Sequence, residues 1–295
     1  MRIYILLVLC VLFWSGNFII GRYVHEEISP ISLALFRWIG AALLMLPFLI
    51  FNFSHIFKVF KENFLILSLL SILGISAFNT FLYIGLQDTT ATNALLINSS
   101  IPVLILVFSF IILKIAINFK QFIGIVFSTF GVIFLIIKGD FSTLTHLQHT
   151  QGDIWVILSS LTWALYSTLV RFKPKALSDM QFFTTIVYIG LFWLGIAYVF
   201  VGGNFSKDIV HVKDFWWVFV YISLFTSVLS YYFWHQGIHT IGANKTGQFT
   251  HLMPLFGSIL AYLFLKEHLM SYHIFGAFFI AFGIYLSLFS KKEKR

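Results

Sequence analysis

The sequence predicts an all-α polytopic integral membrane protein with ten transmembrane helices in two inverted five-helix repeats, on three observations. The chain is 59% hydrophobic and 10% charged over 295 residues, too few charges to cover a water-soluble surface of that size. Ten runs of roughly 18 to 24 apolar residues follow one another along it, each long enough to cross a hydrocarbon core of about 30 Å as a helix. The stretch from Tyr83 to Ile136 is also written a second time, 152 residues later, from His235 to Leu288.

The internal match needs no gap. It places Gly85 on Gly237, Ala91 on Ala243, Pro102 on Pro254, and Leu113 and Lys114 on Leu265 and Lys266. Gly124 then meets Gly276, Phe127 meets Phe279, and Phe130 and Gly131 meet Phe282 and Gly283. A weaker echo at a shift of 149 aligns Leu12–Val24 with Leu161–Lys173, with Trp14 on Trp163 and Arg22 on Arg171. Such self-similarity is the mark of a duplication, and it divides the chain into repeats over 1–145 and 146–295.

In order, the predicted spans lie near residues 3–21, 31–51, 63–86, 93–113, 119–137, 152–171, 180–200, 215–237, 245–265 and 271–289. Without strict alternation they read as helices, since lipid leaves only helices or closed barrels to satisfy the backbone. The first run continues past Trp14 without a small-residue cleavage site, so it is taken as a span, not a signal peptide. With the N-terminus placed inside, Arg2, Lys58, Lys61, Lys114, Lys120, Arg171, Lys173, Lys175, Lys245 and the basic tail Lys291–Arg295 fall on the inner side. Only Arg22, Lys138, Lys207, Lys213 and Lys266 fall outside. That bias predicts a multi-pass protein of the plasma (bacterial inner) membrane with both termini cytoplasmic. An odd number of spans per repeat turns the second half over relative to the first, an architecture associated with alternating access to a central site. The loops 138–151 and 202–214 are short and polar, too small for a separate domain, and the tail is expected to sit at anionic headgroups.

FWSGNF, LFRW, YIGLQDTTATNALLINSSIP, and FLKEHL followed by FGAFFIAFGIYL resemble the drug/metabolite transporter superfamily, specifically its EamA family. The resemblance spans essentially the whole chain. It implies ten helices with cytoplasmic ends and a central cavity built from the first, third and fourth helices and their repeat mates. It also implies export or exchange of amino acids and other small metabolites. One departure is that Glu267 follows Lys266 in the second repeat, where the first has Ile115.

The candidate site residues cluster in the spans. Pro102 and Pro254 occupy equivalent places in the fourth and ninth, where a proline removes an amide and frees the carbonyls of Asn98 and Thr250. Such breaks persist at membrane depth only against protein or a wet cavity. Asn98, Ser99 and Ser100 before the first, and Gln248, Thr250 and His251 before the second, supply polar company. The two prolines are read as hinges and the substrate site as lying between them; the plainer reading is helices tied together by hydroxyls. Arg37 lies about six residues into its span, where it either snorkels to headgroups or points inward to meet an anion. Trp14 with Asn17, Trp163 with Tyr166, and Asn79 with Tyr83 each share a helix face, as cavity lining or as structural aromatics. His235 and His239 stand four apart, a spacing a metal uses, but HQGIH lacks a third ligand, so no metal site is expected. His235 and His251 are read as substrate-binding residues, His251 being equally consistent with a neutral histidine bonded to a carbonyl.

The predicted spans carry no Asp or Glu away from their ends, where proton-driven transporters commonly place relays. That favours a facilitator or exchanger. The chain has no phosphate-binding glycine loop, no paired carboxylates and no nucleophile triad, so no cofactor and no enzymatic activity are expected. The net charge of +8 serves orientation and not nucleic-acid binding. The expected partners are a small-molecule substrate and membrane lipids. A homodimer is one use for Gly190 and Gly195 or Ala277 and Ala281. The functional reading is a secondary transporter moving amino acids or related compounds outward by alternating access. A multidrug or nucleotide/sugar transporter of the same build, a passive channel and a membrane-embedded lipid enzyme stand as alternatives.

Overall fold

The computed structural model describes residues 1–116, 118–142, 150–265 and 270–288, apart from the side chains of 91, 92 and 261–265. Lys266, Glu267 and the basic tail fall outside that set. The described residues are helical, in the order α1 (Arg2–Tyr23), α2 (Pro30–Glu62), α3 (Phe64–Ser71), a π-helical segment (Ile72–Ala77), α4 (Phe78–Asp88), α5 (Ala91–Asn98), α6 (Ile101–Leu113), α7 (Phe119–Ile136) and α8 (Gln151–Leu169). A 3₁₀ turn (Val170–Phe172), α9 (Asp179–Phe200), α10 (Phe205–Asp214), α11 (Trp216–Tyr221), a second π-helical segment (Ile222–Leu229), α12 (Ser230–Ile241), α13 (Ala243–Gly247), a 3₁₀ turn (Gln248–His251), α14 (Leu252–Leu265) and α15 (Ser271–Leu288) complete it. Side chains set several starts. Ser29 caps α2 ahead of Pro30, Thr90 caps α5, Asn118 caps α7, and Ser178 and Gln181 form a capping box on α9, each satisfying an amide that the first turn leaves free.

Among the described residues, nine helical stretches are long and apolar enough to cross a membrane, and they match nine of the ten predicted spans. The tenth, 245–265, is instead three pieces, a five-residue helix, a 3₁₀ turn and the 14-residue α14. Pro254 lies in the first turn of α14, where a proline's missing amide has no helical partner to lose; a proline alone does not force the break, since Pro47 lies inside the continuous α2. The counterpart of Pro254, Pro102, likewise opens α6, after a break at Ser99–Ser100. The chain is interrupted before each proline and not bent through it.

Three further differences have local causes. The span predicted over 31–51 runs on as a 33-residue helix to Glu62, because Ile56 and Val59 remain buried while Lys58, Lys61 and Glu62 face outward. The loop predicted over 202–214 holds α10, capped by Asn204 and tied down by Asp208, which accepts the hydroxyls of Ser32 at 2.7 Å and of Tyr198. The third and eighth spans each contain a widened π turn, 72–77 and 222–229, at corresponding places in the 152-residue register.

Packing joins one half of the sequence to the other. α7 lies along α15, and the contacts are reciprocal: a Cβ on Gly124 would lie 2.5 Å from the carbonyl oxygen of Gly283, and one on Gly131 2.8 Å from that of Gly276. Since the internal match pairs Gly124 with Gly276 and Gly131 with Gly283, each residue touches its neighbour's mate, as contacts across a two-fold axis do. α4 packs on α8 in the same way, with Gly85 against Val156, while α1 packs on α12 with Gly237 against Leu7. Shifts of 149 and 152 carry one pair onto the other. At the centre Trp14 and Trp163 meet edge to face at 5.1 Å, with Trp234 and Tyr231 packed around them.

Candidate functional site

Beside that aromatic centre lies a small cavity of about 20 Å³, room for about one water molecule. It is lined by Trp14, Asn17 and Phe18 of α1, Arg37 of α2, Phe78, Asn79 and Leu82 of α4, Asn98 and Ile101 from the first helix break, Trp163 of α8, and Thr250 and Met253 from the second break. The two interrupted helices therefore meet one space, each contributing the residue four before its proline.

Arg37 dominates the chemistry. It is 1% exposed, which removes the snorkelling reading. Its Nε donates to Ser227 Oγ at 2.6 Å, one terminal nitrogen donates to Asn17 Oδ1 at 3.1 Å and to Tyr83 Oη at 2.9 Å, and the other donates to the Thr226 carbonyl at 3.0 Å. Tyr83 in turn donates to Asn17 Oδ1 at 2.8 Å. All four acceptors are neutral, so among the described residues the guanidinium is held by dipoles and not by a counter-charge.

The second π segment supplies half of that cage, Ser227 Oγ and the Thr226 carbonyl. A widened turn breaks the ordinary i to i−4 bonding, and the Thr226 carbonyl it releases accepts Arg37 and also Trp14 Nε1, the latter at 3.0 Å. In the first π segment the carbonyl of Gly74, 152 residues earlier, accepts the Tyr231 hydroxyl at 2.6 Å. Tyr231 also receives Asn79 Nδ2 at 3.1 Å, and those two residues are themselves matched by the repeat. The pair Asn17–Tyr83 has a counterpart in Tyr166–His235, again hydrogen-bonded. Ile186 stands where the first half has Arg37, so the charge belongs to one half only.

The structure thus brings Trp14, Asn17, Arg37, Asn79, Asn98 and Trp163 to the cavity wall. Tyr83 stands directly behind, on Arg37, and Tyr166 and His235 stand beside Trp163 and Tyr231. Three predicted site residues lie elsewhere. His251 is fully buried, with Nε2 donating to the Ser99 carbonyl at 2.9 Å and Nδ1 2.7 Å from Ser128 Oγ, so it and Ser99 tie the two broken helices to each other and to α7. Gln248 is buried one turn before it, away from the cavity. Sequence reasoning missed Ser227, the Thr226 carbonyl and Tyr231. Tyr231 was within reach, since the 152-residue shift lays it on Asn79.

A family model described as the EamA-like transporter family matches residues 1–137 and again 150–289. An uncharacterized transporter of Bacillus subtilis, YyaM, is 31% identical over 284 residues, covering 96% of this chain and 92% of its own length. An uncharacterized transporter of Archaeoglobus fulgidus is 27% identical over 97% of both chains. A solved crystal structure superposes with a TM-score of 0.74 over 97% of this chain and 96% of its own at 12% identity, which speaks to the fold alone. Two matches that together take in nearly the whole chain, on a helical membrane fold whose central cavity is lined by aromatic and polar side chains, establish that the protein belongs to the EamA-like transporter family.

Proposed function

We propose that this transporter moves amino acids or related small metabolites out of the cell by alternating access, as a facilitator or exchanger. The observation that carries this reading is a cavity walled by polar and aromatic side chains from both halves, at the point where two helices are interrupted. Helix breaks at membrane depth are where transporters of inverted-repeat build place their substrates. The two repeats, 1–145 and 146–295, rock against each other about the breaks at Pro102 and Pro254. The protein sits in the inner membrane with its ends in the cytoplasm, as its basic residues suggest. The cavity at 20 Å³ is too small for such a solute, so this conformation corresponds to a closed step of the cycle and binding requires the halves to part. Aromatic walls also suit a cationic drug, but the buried positive charge of Arg37 in the same cavity disfavours one.

The test is counterflow of radiolabelled amino acids into proteoliposomes loaded with an unlabelled amino-acid pool. Saturable accumulation is expected, falling about tenfold or more in Asn98→Ala and retained in Gln248→Ala, each checked for a monodisperse size-exclusion profile. Absence of accumulation for every amino acid in correctly inserted protein rejects the substrate class, and non-saturable equilibration without counterflow identifies a channel.

A further inference from the structure

Within that reading, we infer that Arg37 and Asn79 form a two-point site for an α-amino carboxylate, Arg37 taking the carboxylate and Asn79 Oδ1 the amino group. Four observations converge on it. Arg37 is buried and, among the described residues, held by neutral acceptors alone. A guanidinium in a low-dielectric site gains most from an anion, and its planar fork fits a carboxylate in two-point fashion. Asn79 is completely buried and lines the same cavity. Its amide nitrogen is spent on Tyr231, whereas Oδ1 accepts no hydrogen bond from any described residue, an orphaned acceptor of the kind that folded proteins rarely leave. The remaining wall, Trp163 with Phe78 at 4.5 Å and Trp14 at 5.1 Å from its ring, offers faces to a side chain and an electron-rich environment to an ammonium.

The charge arithmetic narrows the solute further. A zwitterion adds no net charge, so the loaded cavity keeps the single positive charge it has when empty, with the carboxylate paired to Arg37 and the ammonium donating to Asn79 Oδ1. A phosphate ester of charge near −2 leaves about one negative charge buried without a partner, at a cost of several kcal/mol. A free amine adds a second positive charge beside the first. On entry the carboxylate displaces Asn17 Oδ1 and Tyr83 Oη from the guanidinium. Those two stay bonded to each other, so neither is stranded. Because Ile186 replaces the arginine in the second half, the solute has one orientation in the cavity despite the two-fold arrangement of the helices.

The experiment uses the full chain in detergent micelles and reads thermal unfolding. The twenty amino acids are screened, and the one giving the largest rise is compared with its own amide, its decarboxylated amine and its 2-oxo acid, with inorganic phosphate as a further arm. The amide and the amine are expected to bind at least about tenfold more weakly than the amino acid, the 2-oxo acid at an intermediate level, and phosphate not at all. Arg37→Gln removes the preference for the acid over its amide. Asn79→Leu, which leaves Tyr231 bonded to Gly74, removes the preference for the amino acid over its 2-oxo acid while keeping the preference for the acid over its amide. Equal binding of acid, amide and amine by the unaltered protein overturns the Arg37 assignment and leaves the central amino-acid site standing. An unchanged 2-oxo acid discrimination in Asn79→Leu overturns the Asn79 assignment. Binding by phosphate alone, or by none of the twenty, overturns the inference together with the amino-acid reading beneath it. The comparison within the unaltered protein needs no variant to fold.

Discussion

Arg37, Tyr83 and Asn17 form one hydrogen-bonded unit, and its counterpart Tyr166–His235 lacks the charge. That difference makes an energetic prediction. A hydrogen bond to a charged group contributes about 1.5–3 kcal/mol, against about 1 kcal/mol between neutral groups. Tyr83→Phe strips one acceptor from a buried guanidinium and one donor from Asn17, whereas Tyr166→Phe takes a single partner from His235. The apparent melting temperature in detergent is therefore expected to fall further in Tyr83→Phe than in Tyr166→Phe, and an equal or reversed order counts against Arg37 being charged and caged as described. Half of this unit was legible in the sequence, because an arginine inside an apolar run and polar residues on shared helix faces stand out against their surroundings. The other half was not. Ser227 and the Thr226 carbonyl reach Arg37 only because the chain widens into a π turn there, and a backbone carbonyl has no residue type by which to announce itself. His251 shows the opposite failure, since a titratable side chain in a span attracts a functional reading while its bonds to Ser99 and Ser128 make it a fastener between helices.

Among the elements, the α7–α15 pair shows how small residues substitute for a hydrophobic driving force in lipid, where association rests on close backbone approach. At Gly124, Gly131, Gly276 and Gly283 an added Cβ would sit within about 3 Å of the facing helix's backbone, and backbone cannot move aside as a flexible side chain can. Gly283→Ala is expected to push the two helices apart and to shift the protein toward aggregate on fluorescence-detected size exclusion. Gly195→Ala, at a position with nothing within 4 Å, is expected to keep the parent profile. A monodisperse Gly283→Ala would mean that the helices lie further apart than described. These glycines were visible in the sequence as matched positions of a repeat, and the repeat says which residues correspond. It does not say that each contacts its neighbour's mate, which depends on how the halves are turned. The helix ends were legible at the starts of α2 and α9, which hydropathy put near 31 and 180, but the breaks ahead of Pro102 and Pro254 were read as hinges within single spans. Ends were not legible where an apolar run simply acquires charges on one face, as α2 does beyond residue 51, because amphipathic continuation and loop look alike at the edge of a hydropathy window.

At the scale of the whole molecule, the two-fold relation is broken in the way each end of the cavity is shut. On the side that the basic residues place outside, α4 and α8 are clasped by polar groups: Thr89 Oγ1 donates to Asp153 Oδ1 at 2.5 Å, and the amide of Gly152 donates to Asp88 Oδ2 at 2.9 Å. On the other side the corresponding positions are Tyr4, Thr240 and Ile241, and the contacts of α1 there are apolar, with Tyr4 stacked on Phe249 at 6.2 Å and Leu7 packed against Gly237. The polar ties on that side join other helices, as Gln181 to Asn52 and Gln236 to Asp179. A clasp made of directed bonds can be weakened one bond at a time. Thr89→Val removes the hydroxyl while leaving the Thr150 amide bonded to Asp153 Oδ2 at the start of α8, so the helix keeps its cap. Loss of one hydrogen bond to a carboxylate, about 1.5–3 kcal/mol, is enough to shift the balance between closed and outward-open forms by roughly tenfold or more. The readout is labelling of a cysteine at Leu82, on the cavity wall, by a membrane-impermeant thiol reagent. The chain's single cysteine, Cys10, is first replaced by serine so that its bond to the Ser230 carbonyl keeps a donor. Thr89→Val is expected to speed labelling from the external side severalfold and leave labelling in inside-out vesicles slower or unchanged. Tyr4→Ala is expected to do the reverse, because the two halves move about one cavity and opening one end draws on the closed population that guards the other. If Thr89→Val speeds labelling equally from both sides, the bond is a general fastening of the bundle and the ends are not alternately gated.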